Sequence, residues 1–131
     1  MAIELKNLEQ LKSMRKAGLV VADTLKLIKD SAQVGMTTVE LDEIAVDSLK
    51  KHGATPSFLG YHGFPAVICA SVNEEVVHGI PNKRKLISGD VLSIDFGAII
   101  DGWHGDAAIS FGLGEIEAAD QKLMDVCQES M

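Results

Sequence analysis

The spacing of apolar positions changes once along the chain, near residue 54. Before that point Leu8, Leu11, Met14, Gly18, Val21, Leu25 and Ile28 recur at three- and four-residue steps. That spacing predicts a long amphipathic helix, N-capped by Asn7, with Lys12, Arg15, Asp23 and Lys26 on its wet side. A second helix opens where Thr37 and Glu40 stand as a capping box, and it closes through Lys50-Lys51-His52 and Gly53. His52 reads as part of that C-terminal cap. Beyond residue 54 the period is two, which predicts strands over about 66 to 72, 76 to 80, 91 to 100 and 103 to 111, separated by Asn-Glu, Pro-Asn and Asp-Gly turns. A third helix is expected after Gly114, with Ile116, Ala119, Leu123, Val126 and Cys127 on one stripe. The stripe is still running at Met131, so the sequence reads as cut inside an element. A helix pair followed by an antiparallel sheet is an α+β pattern, and the whole of 1–131 is expected to be one domain.

The Asp-Gly turn fixes a register, because two residues of that type between alternating apolar runs favour a tight hairpin. Pairing Ile100 with Trp103 sets Gly97 opposite Asp106 and Asp95 opposite Ala108. Side chains alternate faces, so Asp95, Gly97, Ile99, His104, Asp106 and Ala108 share one face, and Ile94, Phe96, Ala98, Ile100, Trp103 and Ile109 take the other. Asp95 and Asp106 become diagonal neighbours, about 7–8 Å apart at the backbone. Two anions on a partly desolvated floor repel, and a divalent cation removes that cost. A hairpin face that is simply wet, with both acids solvated, fits the same spacing.

Composition removes other classes of function. A formal net charge of −7 argues against a nucleic-acid surface, and the lone basic run Lys83-Arg84-Lys85 reads as a solvated loop. No apolar run is long enough for a membrane span or a secretory signal. Cys69 and Cys127 form neither a disulfide framework nor a zinc-type pair, which points to a reducing cytoplasm.

The segments "PSFLGYHGFPAVICASVNEEVVHGIP" (56–81) and "GDVLSIDFGAIIDGWHGDAAISF" (89–111) resemble the N-terminal half of the type I methionine aminopeptidases. The resemblance implies half of a pita-bread fold and a cytosolic metalloprotease that removes the initiator methionine from nascent chains with a small second residue. It implies that Asp95 and Asp106 are two of five ligands to a pair of divalent ions, with manganese, iron or cobalt suiting such oxygen donors. His78 then stands where the family hydrogen-bonds the scissile peptide. Tyr61, Phe64 and Cys69 stand where it lines the methionine pocket, and His62 lies at the pocket's outer edge. The remaining histidine and two glutamate ligands of the family have no counterpart in the motifs of this chain, so weak metal binding and little activity are expected of it alone. A partner is expected to be the missing half or a second copy of the chain, with no nucleic acid and no membrane.

Each residue also has a plainer reading. His78 alternates with Val76 and Ile80 on the expected strand, which suits a core histidine. Tyr61 and Phe64 suit loop anchors, Cys69 a small buried hydrophobe, Trp103 core, and His104 a group facing solvent or supporting the acids. A non-catalytic module that self-associates through an exposed apolar face is the alternative to an enzyme. A sister hydrolase such as a prolidase shares the acid pair but not the "NEEVVHGIP" motif.

Overall fold

The computed structural model describes residues 3–131. The elements run α1 (Leu8–Ser31), α2 (Thr38–His52), β1 (Thr55–Pro56), a single 3-10 turn (Tyr61–Gly63), β2 (Ile68–Val72), β3 (Val91–Ile100), β4 (Trp103–Gly112) and α3 (Ala118–Glu129).

Both N-caps form as expected. The Asn7 side chain accepts from the Gln10 amide at 2.9 Å while the Gln10 side chain accepts from the Asn7 amide at 2.9 Å. Thr37 and Glu40 repeat the exchange at α2. Gly53 terminates α2 in the left-handed region (φ 63), and the His52 ring bonds the Ser48 carbonyl at 2.9 Å. A buried Thr24–Ser48 hydroxyl pair, 2.7 Å apart, ties α1 to α2 and satisfies both groups away from water.

β3 is the spine of the sheet. β4 pairs along all ten residues of one edge, while β1 and β2 share the other edge end to end. The core lies between this sheet and the two long helices, where Val21, Leu25, Ile28 and Leu41 meet Ile68, Leu92, Ile94 and Phe96. Helix and sheet approach closely at Gly105: a Cβ there would lie 2.7 Å from the Ala17 carbonyl carbon. Only a residue without a side chain lets α1 cross β4 at this distance.

Several expectations need correction. Residues 76–80 are not a strand. Asn73 and His78 both adopt left-handed backbone conformations (φ 55 and 57), which no extended run tolerates. The segment instead passes over the edge of β2, where the Ala70 amide donates to the Gly79 carbonyl at 2.8 Å. His78 is therefore an exposed loop residue and not a core histidine on a strand. The apolar stripe of α1 also begins later than its spacing suggests. Leu8, Leu11, Met14 and Gly18 are exposed, and burial starts at Ala17, where the helix first reaches the sheet. Trp103 is half-buried, with the Lys6 ammonium 5.8 Å from its ring centroid, so it closes the sheet's end and is not full core. The stripe of α3 that carries Ala119, Leu123, Val126 and Cys127 is likewise exposed.

Two glycines separate packing from propensity. Gly105→Ala should lower stability by about 1–3 kcal/mol, because its methyl group overpacks the α1 backbone. Gly18→Ala, with nothing within 4 Å of the added atom, should raise it by about 0.5–1 kcal/mol through helix propensity. Urea unfolding of both variants checks the pair, and equal effects would contradict the packing.

Candidate functional site

The hairpin register agrees with expectation residue for residue: Ile100 faces Trp103, Gly97 faces Asp106, and Asp95 faces Ala108. Ile94, Phe96 and Ala98 are fully buried on one face, which leaves both acids on the other. β2 extends that second face, because Cys69 is the partner of Asp95 and Ser71 of Ser93. Cys69, Asp95 and Ala108 thus form one row across three strands, with Gly97 and Asp106 in the next.

The electrostatics of this floor are unfavourable for anions. Burial raises the pKa of Asp95 above its ordinary value, and the neighbouring Asp106 carboxyl raises it further; His78 and the Phe96 amide pull the other way. Burial pushes the Cys69 thiol up to about 11, with Asp95 and Asp106 adding to the shift. Cys69 is a neutral thiol at physiological pH and serves as a small apolar wall. Asp95 Oδ1 is buried without a hydrogen-bond partner. A carboxylate oxygen buried beside a second carboxylate is unfavourable as it stands and suited to a hard cation. Among the described residues no group of three or more histidine, cysteine or acidic side chains could hold a metal ion, so this chain offers the acid pair alone.

An open cleft of about 710 Å³ stands on the floor. Tyr61, His62, Phe64, Cys69, His78, Asp95 and Asp106, the residues singled out in the sequence, all line it. One wall is the loop from Ser57 to Pro65, bent by left-handed residues at Gly60, His62 and Gly63 (φ 82, 47 and 81) and closed by the Gly60 amide donating to the Phe64 carbonyl at 2.8 Å. Phe58 meets Phe64 edge-on with centroids 6.5 Å apart, and Tyr61 meets His62 at 4.4 Å. The opposite wall carries His78 and Ile80.

Glycine positions this apparatus. A Cβ at Gly97 would lie 2.8 Å from Ser57 Cβ and 3.0 Å from the Phe58 ring, so the aromatic wall sits directly on the strand next to the acids. A Cβ at Gly79 would lie 2.3 Å from the Ala70 carbonyl oxygen. With the Gly79 amide donating to Ser71 Oγ at 3.0 Å, that contact seats His78 at the rim. Behind it, the buried carboxylate of Asp90 accepts from Asn73 Nδ2 at 2.8 Å and the Ile87 amide at 2.9 Å, with Arg84 Nη2 at 3.4 Å. Asn82 locks the far end of the same loop to Thr38 at the start of α2.

Sequence reasoning left out Ser57, Phe58, Pro65 and Ile80 and gave His104 only a supporting place. His104 lines the cleft, and its Nδ1 lies 3.0 Å from Ser57 Oγ. These two residues are 47 positions apart, and the one local hint was a glycine at 97 on the acid face.

Comparison with known proteins follows the same outline. Residues 12–131 match the family described as metallopeptidase family M24. The chain is 52% identical over 123 residues to methionine aminopeptidase 1 of Mycobacterium tuberculosis, covering 93% of this chain and 46% of that protein. It is 49% identical over 129 residues to the methionine aminopeptidase of Clostridium acetobutylicum, covering 98% and 52%. The crystal structure of methionine aminopeptidase from Rickettsia prowazekii superposes with a TM-score of 0.95 at 35% identity, over 98% of this chain and 52% of that one. The chain thus spans about half the length of the curated relatives it matches.

The two cysteines should differ in reactivity. At pH 8 the exposed Cys127 should be alkylated by iodoacetamide, while Cys69, held as a thiol, should react only after denaturation. Peptide mass mapping checks this, and rapid labelling of Cys69 in the folded chain would contradict the electrostatics of the floor.

Proposed function

The chain belongs to metallopeptidase family M24 and has half of a pita-bread fold; from that premise we propose that it carries the N-terminal half of a methionine aminopeptidase site. The substrates are nascent-chain N-termini with methionine followed by a small residue, and the setting is the cytoplasm. Among the described residues no helix is long and apolar enough to cross a membrane. The observation that carries the reading is the unpartnered oxygen of Asp95 beside Asp106, beneath an aromatic-walled cleft.

Asp95 and Asp106 hold divalent metal, with manganese, iron or cobalt matched to their oxygen donors. The complete site takes two ions and five ligands, and the other three ligands are assigned to the half of the relatives that this chain does not span. Bound metal supplies Lewis-acid polarisation of a peptide carbonyl and a water-derived nucleophile at neutral pH. Tyr61, Phe64 and Cys69 enclose the methionine side chain, which favours polarizable and apolar walls and gains from sulfur–aromatic contact. His62 stands at the outer edge of that pocket. His78, exposed at the rim on an anchored loop, donates a hydrogen bond to the scissile peptide, and its rigid seat fixes the substrate against the floor. With two carboxylates as its ligand set, the chain binds metal weakly and turns substrate over poorly by itself.

Calorimetric titration of the metal-free chain with Mn(II) should give weak binding that is lost in both Asp95→Asn and Asp106→Asn. A stability measurement separates this from general damage. The raised pKa of Asp95 means that the fold favours its neutral form, so that contribution is full below the ordinary value of 3.8 and lost as pH rises through the raised one. At pH 7 the metal-free Asp95→Asn chain should therefore be more stable than the unmodified chain, by about 1 kcal/mol for one repelling pair in a partly screened site. Undiminished binding in the variants, or a destabilised Asp95→Asn chain, would contradict the assignment.

A further inference from the structure

The loop 57–67 leaves the sheet and returns to it at neighbouring points on one edge of β3. Pro56 pairs with Ala98 before it and Ile68 with Phe96 after it, so the loop stands over Gly97, the residue between. Compact loops with such close ends hold their shape through contacts of their own. Here the amides of Gly60, Tyr61, Gly63 and Phe64 all donate to carbonyls inside the loop, and Phe58 meets Phe64 edge-on. This wall of the cleft is therefore a self-contained unit, and its angle to the floor is set where it joins the sheet.

At the first junction Ser57 bonds to two different strands. Its amide donates to the Gly97 carbonyl on β3 at 3.0 Å, and its Oγ lies 3.0 Å from His104 Nδ1 on β4. Gly97 faces Asp106, and His104 is the diagonal neighbour of Gly97, about 7–8 Å away at the backbone. Ser57 can occupy the place between them because Gly97 has no side chain: a Cβ there would lie 3.0 Å from Ser57 Oγ. The Ser57 amide bond alone leaves the wall free to pivot. The bond to His104, directed at the strand that also carries Asp106, fixes the angle. We propose that His104 is a positioning residue: by holding Ser57 it sets the height of Phe58, Tyr61 and Phe64 above the acid pair, and through that height the length of apolar side chain that the cleft accepts. The inference rests on the methionine-pocket reading given above and makes His104 neither a metal ligand nor a substrate contact. A hydrogen bond between groups that water can reach adds little to global stability, yet it can order a loop whose local opening is easy.

Nuclear magnetic resonance titration of the 131-residue chain tests this, with methionine amide and valine amide as probes. Ser57→Ala and His104→Ala should each weaken methionine amide by about two- to tenfold, the weight of one neutral hydrogen bond, and narrow its preference over valine amide. The double variant should lose no more than either single one, since both remove the same contact. Two substitutions separate the bond from the ring. His104→Asn places a polar atom where Nδ1 stands and should bind like the unmodified chain, whereas His104→Phe keeps the ring without the bond and should behave like His104→Ala. Exchange of the Tyr61, Gly63 and Phe64 amides, followed without any probe, should quicken in Ser57→Ala, His104→Ala and His104→Phe and stay slow in His104→Asn. Additive losses in the double variant, or a His104→Phe chain that binds as tightly as the unmodified one, overturn the positioning role. If the unmodified chain takes up neither amide, the methionine pocket falls, and loop exchange decides the rest: rates unchanged in Ser57→Ala and His104→Ala overturn the hold of His104 on the wall as well.

Discussion

The β3–β4 ladder begins at a turn in which Asp101 and Gly102 both lie in the left-handed region (φ 51 and 79), and it runs unbroken from Ile100–Trp103 to Val91–Gly112. Because side chains alternate along a strand, a slip of one residue would bury Asp95 in place of Ile94 and Phe96 and expose those two to water. The buried face makes that slip prohibitive, so the hydrophobic core itself holds the acids in position. Structure and chemistry are coupled at this point: the same packing that stabilises the fold forces two carboxylates together on its opposite face.

Three close approaches transmit that register to the rest of the molecule. Gly105 lets the α1 backbone lie on β4, Gly97 lets the Ser57–Phe58 wall stand on β3, and Gly79 lets the His78 loop cross β2. Each is a place where any side chain would collide with backbone or with a packed wall. The cleft therefore has two kinds of support: its floor is regular sheet, and its rims are irregular loops pressed onto that sheet. The Asp90 network gives one rim a buried anchor, and the Ser57–His104 hydrogen bond ties the other to the floor.

What could be read from the sequence was what local rules decide. The caps at Asn7 and Thr37, the stop at Gly53 and the Asp101-Gly102 hairpin each follow from a few adjacent residues, and from the hairpin came the diagonal placing of Asp95 and Asp106 on one face. Residues 76–80 misled because Val76, His78 and Ile80 alternate like a strand, whereas their path is set by contacts with Ala70 and Ser71 on β2. The contact between Ser57 and His104 escaped notice for the same reason, since only the folded sheet brings them together. The first turns of α1 carry an apolar spacing with no sheet beneath them, and spacing alone does not say where the core ends. The family resemblance carried His78 and the pocket residues, which no periodicity would have assembled.

Packing leaves the acid pair unfavourable, with a buried oxygen of Asp95 that no group among the described residues satisfies. Its resolution by a cation is the central claim. A crystal of the chain grown with Mn(II) and measured for anomalous scattering at the manganese edge tests it most directly. The account predicts a peak within about 2–2.5 Å of Asp95 Oδ1 and of an Asp106 carboxylate oxygen. A floor without manganese, in which a protonated Asp95 donates a hydrogen bond to the Asp106 carboxylate, would contradict it.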